Sequence, residues 1–264
     1  MTVRLRDMSQ PVFALAARSA IGLHRSGNED AAITSANLIA VADGMGGHAG
    51  GEIASKIAIR TLQSLTPMLT DVTLDPDSTE DLLLNSLHTI DSEIGEYAKE
   101  AIEVRGMGTT LTSILLHNDC VALLHIGDSR CYRLRANTFE QLSNDHTVVQ
   151  ELLSQGAITA VEALEHPQRS VLTQALMGDG NITPLLQIFE AKEGDRYLLC
   201  SDGLSGVLTE REIKVFLKKS SKEDAIKALV DATYIQGAPD NVTIVIADIT
   251  RAEVKANEVL GAAL

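Results

Sequence analysis

The sequence contains little cysteine and few aromatic residues, and both shortages exclude classes of protein. Only three cysteines occur in 264 residues: Cys120, Cys131 and Cys200. Their number is odd, they lie in apolar stretches and none belongs to a CxxC pair, so neither a disulfide framework nor a zinc ribbon is indicated. This predicts a reducing compartment, the cytoplasm. Aromatic residues make up 3% of the chain and tryptophan is absent, which leaves few surfaces for stacking single-stranded bases.

Positive charge is also scarce. The chain has 22 Lys and Arg residues against 36 Asp and Glu, a formal net charge of −14. Such a field repels nucleic-acid backbones and anionic lipid, so we expect neither nucleic acid nor a membrane as partner. No apolar run approaches the roughly 20 residues of a membrane-spanning helix. The apolar stretch at 11–17 is cut by Arg18, and we therefore expect no signal peptide.

The apolar content is sufficient for one folded domain over residues 1–264. Hydrophobic residues make up 45% of the chain and charged residues 22%, and no repeat or linker divides it. Hydrophobic periodicity predicts helices at 51–65, 79–104, 148–154, 210–217 and 222–234, and strands at 12–21, 31–35, 38–42, 111–117, 121–127, 131–135, 197–200 and 242–249, with another from 185. Because these do not alternate as regular βαβ units, we expect an α+β fold with largely antiparallel sheets.

Acidic residues lie beside Gly or Asn at the ends of five predicted strands. The five places are Asn28-Glu29-Asp30, Asp43-Gly44, Gly127-Asp128, Ser201-Asp202-Gly203 and Asp240-Asn241. Each alone is typical of an ordinary turn. If the sheets bring them to one edge, however, their like charges would be costly without a cation among them. Ligation by oxygen alone indicates Mg²⁺ or Mn²⁺.

Eight motifs follow one another between about residues 12 and 249. They are HRSGNEDA from His24, VADGMGGHAGGEIAS from Val41, GMGTTL from Gly106, HIGDSR from His125, SNDHT from Ser143, HPQRSVLTQALMG from His166, LLCSDGLSG from Leu198 and PDNVT from Pro239. In this order they resemble the metal-dependent protein phosphatases of the type 2C family, and within it the compact bacterial serine/threonine phosphatases.

The resemblance implies a four-layer α/β/β/α sandwich, in which two mainly antiparallel sheets are flanked by helices. It implies a flap subdomain at about 145–194, and we place a short C-terminal tail at about 251–264. The implied activity is hydrolysis of phosphoserine and phosphothreonine in proteins by a water that two Mn²⁺ or Mg²⁺ ions activate. The implied partners are phosphorylated proteins and a cognate serine/threonine kinase, and we expect a monomer.

The resemblance also assigns roles at the first metal. Asp43 resembles the carboxylate that bridges both metals, and Gly44 offers its backbone carbonyl. Asp202 and Asp240 complete the coordination of the first ion.

Further roles concern the second ion, a third ion and the substrate. Glu29 and Asp30 serve the second metal directly or through water, and Asp128 resembles a ligand of a third, weaker ion. Arg25 matches the position that clamps the substrate phosphate, where its planar fork suits a bidentate contact.

Two positions depart from the pattern of many relatives. Met45 occupies the place where eukaryotic relatives carry a histidine, so the general acid is either His48 in the same loop or a metal-bound water. Gly206 stands where some relatives have an acidic residue near the third metal, which predicts weak binding of that ion.

Two alternative functions remain open from the sequence. Residues 75–79 fit the DxDxT pattern of haloacid-dehalogenase-type phosphatases, in which Asp75 would be the nucleophile. The residues before it are polar, however, and Ser78 with Asp81 predicts a capping box that opens the next helix. The second alternative is a catalytically inactive scaffold that binds phosphoproteins. Such a scaffold should have lost metal carboxylates, whereas Asp43, Asp202 and Asp240 are all present.

Overall fold

A computed structural model describes residues 10–47, 50–71, 75–251 and 258–264. The strands are β1 Val12–Ala20, β2 Asp30–Thr34, β3 Leu38–Met45, β4 Gly108–Thr109, β5 Leu111–His117, β6 Cys120–Ile126, β7 Arg130–Arg135, β8 Thr138–Gln141, β9 Leu185–Glu190, β10 Arg196–Cys200, β11 Val242–Thr250 and β12 Glu258–Gly261. The helices are α1 Gly50–Leu69, α2 Pro76–Glu100, α3 Val148–Ser154, α4 Ala160–Leu164, α5 Asp202–Ser205, α6 Glu210–Leu217 and α7 Lys222–Ile235.

The strands form two sheets. Sheet I has the order β1-β11-β10-β7-β8, and sheet II has the order β12-β2-β3-β5-β6-β9, with β4 paired to β3. All of these pairings are antiparallel. The antiparallel arrangement predicted from the order of elements is therefore confirmed.

The alternation of side chains along each strand builds the layers. In β3, Ala40 packs with α1 and α2, whereas its neighbour Val41 faces sheet I. In β11, Val245 faces sheet II and Ile246 packs with α5, α6 and α7. Successive strand residues point to opposite faces, so each sheet is covered on both sides. The result is the expected α/β/β/α sandwich.

The structure differs from the predicted elements mainly at short segments. It adds β4, β8, β12, α4 and α5, each of five residues or fewer, because such segments are too short to show a hydrophobic period. Helix α1 runs on through Pro67 to Leu69. The helix predicted at 79–104 ends at Glu100 and is followed by a 3₁₀ turn at Ile102–Val104.

Helix α2 is capped by Asp75, so the capping box predicted at Ser78 and Asp81 is wrong. The Asp75 Oδ1 accepts a bond from the Ser78 backbone N–H at 2.9 Å, and Oδ2 accepts from Ser78 Oγ at 2.7 Å. Proline at the first helical position suits this earlier start. Hydrogen bonds from Ser78 lower the pKa of the exposed Asp75 carboxyl. A carboxylate engaged in capping a surface helix argues against Asp75 as a buried nucleophile.

Within the described ranges, no helix is long and apolar enough to cross a membrane.

Candidate active site

Strand ends from both sheets open onto one cavity of about 500 Å³. Sheet II supplies Glu29, just before β2, and Asp43 in β3. Sheet I supplies Asp202, at the start of α5 after β10, and Asp240, shortly before β11. Asp128 lies in the turn that joins β6 of sheet II to β7 of sheet I. The cavity therefore sits at the seam between the two sheets.

The structure brings together most of the residues singled out from the sequence. Those that line the cavity are Arg25, Glu29, Asp43, Gly44, Asp128, Asp202 and Asp240. Asp30 is not among them, because it is 1% exposed and is held by a hydrogen bond from Ser201 Oγ to its Oδ2 at 2.7 Å. The same Ser201 Oγ accepts from the Thr243 backbone N–H at 3.0 Å. Asp30 thus ties sheet II to sheet I beside the cavity.

The backbone of Asp43 is fixed by two threonines. Its N–H donates to Thr110 Oγ1 at 3.0 Å, and its carbonyl accepts from the Thr110 N–H and from Thr109 Oγ1, each at 2.9 Å. Thr110 Oγ1 is also 2.8 Å from Ser129 Oγ in the turn after Asp128. Thr109 and Thr110 therefore hold the strand residue Asp43 through hydrogen bonds, and Thr110 also lines the cavity.

Gly44 lies where two backbones approach closely. A Cβ at this position would stand 2.0 Å from the carbonyl oxygen of Gly51, in the first turn of α1. The Gly44 N–H also donates to the carbonyl of Glu29 at 3.1 Å. Only glycine allows β3, α1 and the Glu29 loop to meet at this distance.

Burial and mutual repulsion raise the pKa values of these carboxyl groups. Burial raises the pKa of Asp43 well above its usual range, and the charges of Asp30 and Asp202 raise it further. Burial, followed by the charge of Asp202, raises the pKa of Asp128 to about 7. The pKa of Asp30 also rises to about 7, mainly through burial. The pKa of Asp202 rises through burial and the charge of Asp240. The cluster therefore resists full ionisation unless positive charge is added.

Arg25 supplies some of this positive charge at the mouth of the cavity. Its Nη2 donates to Asp240 Oδ2 at 2.5 Å, and its Nη1 donates to Glu29 Oε2 at 3.3 Å. Burial opposes the charge on Arg25, but the hydrogen bond and charge of Asp240 outweigh burial and raise the pKa of the guanidinium. The side chain is partly exposed, so its fork can also reach a ligand in the cavity.

The donor set fits a hard divalent cation, because all of its side-chain donors are carboxylate oxygens. Among the described residues, no three His, Cys, Asp or Glu side chains already form a coordination cage. A doubly charged ion would offset the repulsion that raises the pKa values of these carboxyl groups.

One wall of the cavity carries residues of the motif HPQRSVLTQALMG for which the sequence predicts no individual role. They come from the irregular segment after α4 and are Ser170, Leu172, Thr173, Gln174, Ala175 and Met177. The segment lies in the predicted flap at about 145–194, but these six residues show no hydrophobic period and none of them is a His, Cys, Asp or Glu.

Asn241 contacts the loop that bears Glu29, whereas Met45 and His48 are the positions that concern the proton donor. Asn241 Oδ1 accepts from the Glu29 N–H at 2.9 Å and its Nδ2 donates to the Gly27 carbonyl at 3.0 Å, so Asn241 fixes the loop that bears Glu29. Met45 lines the cavity, and no histidine of the described chain does so. His48 lies outside the described residues.

Comparison with protein families gives a match over residues 26–235 to the model described as Protein phosphatase 2C. The chain belongs to the protein phosphatase 2C family. The match covers most of the chain, including Glu29, Asp43, Asp128 and Asp202 but neither Arg25 nor Asp240.

Two of the proteins similar in sequence to this 2C-family chain are serine/threonine phosphatases. The serine/threonine protein phosphatase PstP of Mycobacterium tuberculosis is 42% identical over 241 residues, which are 90% of this chain but 45% of PstP. The chain thus spans less than half of that relative's length. The serine/threonine phosphatase stp of Listeria welshimeri is 34% identical over 212 residues, 80% of this chain and 84% of stp.

Solved structures share the fold of this 2C-family chain. The catalytic domain of the protein phosphatase PstP, in complex with two manganese ions, superposes with a TM-score of 0.82 at 39% identity. The superposition covers 91% of this chain and 99% of that domain. The two antiparallel sheets flanked by helices are therefore those of the 2C family.

The raised pKa of Asp128 predicts a pH-dependent effect of neutralising it. In chelator, the wild-type carboxyl holds its proton up to about pH 7 when folded but releases it near 3.8 when unfolded. Ionised Asp128 therefore destabilises the fold as pH rises through this window. We expect Asp128→Asn to gain stability relative to wild type between pH 4.5 and 7.5, measured by urea unfolding at each pH.

Two comparisons control this measurement. Burial lowers the pKa of His125 to about 3, so His125 makes the fold more stable as pH rises, which is the opposite of the Asp128 effect. This contribution is common to wild type and Asp128→Asn and therefore cancels from their difference in stability. Asp231→Asn removes a carboxylate from the exposed face of α7 and should show no such trend. A stability difference for Asp128→Asn that stays constant with pH would contradict the assigned pKa shift.

Proposed function

We propose that this chain is a phosphatase that hydrolyses phosphoserine and phosphothreonine in proteins and requires Mn²⁺ or Mg²⁺. The observation that carries the proposal is the convergence of Asp43, Asp202 and Asp240, from both sheets, on one cavity beside Arg25. Membership of the 2C family supports the activity, and the manganese ions of the PstP catalytic domain support the choice of cation.

The proposed ligands divide between two ions and a weaker third. Asp43 would bridge the first two, with the Gly44 carbonyl, Asp202 and Asp240 completing the first. When bound, such ions would supply an activated water and neutralise charge on the phosphoryl oxygens. The chain's own part is to hold the oxygen donors in place through Thr109 and Thr110.

The remaining proposed metal ligands differ in how they reach the cavity. Glu29 reaches the cavity directly and would serve the second ion. Asp30 is buried against Ser201, which favours contact through water. Asp128 would bind the third ion, and with Gly206 in place of an acidic residue that site would be weak.

Arg25 would bind the phosphate of the substrate. It already lies between Glu29 and Asp240 at the cavity, and its two terminal nitrogens can be shared with phosphate oxygens. The leaving serine or threonine oxygen must receive a proton. Since Met45 cannot donate one, His48 or a water is the proposed donor.

The proposed partners follow from the activity. They are phosphorylated proteins and a cognate serine/threonine kinase whose products this chain would reverse. A cytoplasmic location, a bacterial source and a monomeric state stay predictions. The net charge of −14 argues against nucleic acid as a partner.

A first experiment measures hydrolysis of a phosphothreonine peptide with Mn²⁺, with Mg²⁺ and with chelator. We expect turnover only with added metal, and Asp202→Asn should lower kcat/KM at least about a hundredfold because a charged ligand is lost. Asp231→Asn, on the exposed face of α7, is the matched control and should retain wild-type activity. Hydrolysis that persists in chelator, or in Asp202→Asn, would reject the proposal, and metal-dependent peptide binding without hydrolysis would favour the scaffold.

A second experiment tests Arg25. Because the guanidinium chiefly binds ground-state phosphate, Arg25→Ala should raise KM more than it lowers kcat. Arg25→Lys keeps the charge without the fork and should fall between wild type and alanine. Arg18→Ala removes an exposed arginine of β1 and serves as the control. An unchanged KM in Arg25→Ala would contradict the phosphate clamp.

A further inference from the structure

The part of the cavity lining that carries no carboxylate is an irregular segment that needs external support. This wall, residues 170–180, has no helix or strand of its own. Its first half is tied to the loop before α3, since the Thr173 N–H donates to the His146 carbonyl at 2.8 Å. Near its end, Leu176 and Thr109 exchange two backbone bonds of 2.9 and 3.0 Å. That pairing joins the wall to the threonine that fixes Asp43.

A buried carboxylate on α2 holds the end of this wall. Asp91 is 3% exposed. Its Oδ1 accepts from the N–H groups of Met177 at 3.0 Å and Gly178 at 2.7 Å, and its Oδ2 accepts from the Gly180 N–H at 2.9 Å. A carboxylate is costly to bury, and backbone donors that bond to its charged form offset that cost. Asp91 therefore orders the wall where it meets the cavity.

The same contact brings two backbones together. A Cβ on Gly95, one turn along α2 from Asp91, would stand 2.5 Å from the Gly178 carbonyl oxygen. Gly178 has φ +77°, and a Cβ there would stand 2.2 Å from the Gly95 Cα. Helix α2 and the wall are thus in direct backbone contact, and even a methyl group would separate them.

We propose that Asp91 is a positioning residue for the polypeptide part of the substrate, an inference that rests on the proposed function. Asp91 acts through the wall and does not touch substrate. The phosphate would be bound by Arg25 and the carboxylates, whereas the chain that carries the phosphothreonine must lie along the remaining cavity surface. Met177, whose N–H Asp91 holds, is partly exposed on that surface.

This assignment predicts that peptide and small substrates respond differently. A small aryl phosphate needs only the carboxylates and Arg25, so loss of Asp91 should leave its KM within about twofold of wild type. A phosphothreonine peptide should suffer an increase in KM of about tenfold with little change in kcat, because the wall is misplaced while the reacting groups are not.

The test compares variants of α2 on p-nitrophenyl phosphate and on a phosphothreonine peptide. Asp91→Ala removes all three bonds and should show the full peptide effect. Asp91→Asn keeps the Oδ1 acceptor and should show a smaller one. Glu96→Ala, which removes an exposed carboxylate from the same helix, is the matched control and should behave as wild type. Hydrogen exchange should quicken at the Gly178 and Gly180 amides in Asp91→Ala, mainly at the Gly180 amide in Asp91→Asn, and at neither in Glu96→Ala.

A further variant, Gly95→Ala, perturbs the backbone contact between Gly95 of α2 and Gly178 of the wall. It leaves Asp91 intact but displaces the wall, so it should reproduce the selective increase in peptide KM. If Asp91→Ala does not fold, Gly95→Ala still tests the positioning role. An unchanged peptide KM in the folded variants, or an equal loss on both substrates, would overturn the positioning role. If the wild-type chain hydrolyses neither substrate, the proposed function fails as well, and the two failures are thereby distinguished.

Discussion

The site depends on the crowding of buried carboxylates at the seam between two sheets. Asp43 comes from β3, while Asp202 and Asp240 flank β10 and β11 of the other sheet. Burial and mutual repulsion raise the pKa values of Asp43 and Asp202, so the arrangement is unfavourable as bare charge. The packing of the rest of the fold keeps these carboxyl groups together although their charges repel one another. A cation among them would offset this repulsion, and the cavity is therefore suited to cations.

Neutral side chains hold the segments that carry the clustered carboxylates. Thr109 and Thr110 fix the backbone of Asp43, Asn241 fixes the loop that bears Glu29, and Ser201 joins Asp30 to the other sheet. These hydroxyl and amide groups bond mostly to backbone, so they set positions without competing for a cation. The charged residues can then be close together without determining the local conformation.

The sequence predicts most of the elements because each leaves a hydrophobic signal, as in β3, β11 and α1, and Asp beside Gly or Asn marks the strand ends of the site. The four-layer sandwich and the roles of the site residues follow only from the resemblance to the 2C family. Asp30 could not be distinguished from Glu29, since adjacent residues on a strand point to opposite sides and the sequence does not reveal which side faces the cavity. Asp91 gave no signal because its partners are backbone N–H groups, which every residue except proline has.

Strand order has a consequence for how the molecule is made. Strand β11 lies inside sheet I, where it pairs with β1 on one side and with β10 on the other, and Asp240 precedes it by two residues. A nascent chain that has emerged as far as β9 carries Asp43 and Asp128 but lacks the middle of one sheet. Synthesis must therefore proceed beyond Asp240 before the oxygen donors can assemble, and capture of an ion would report a chain in which both sheets have formed.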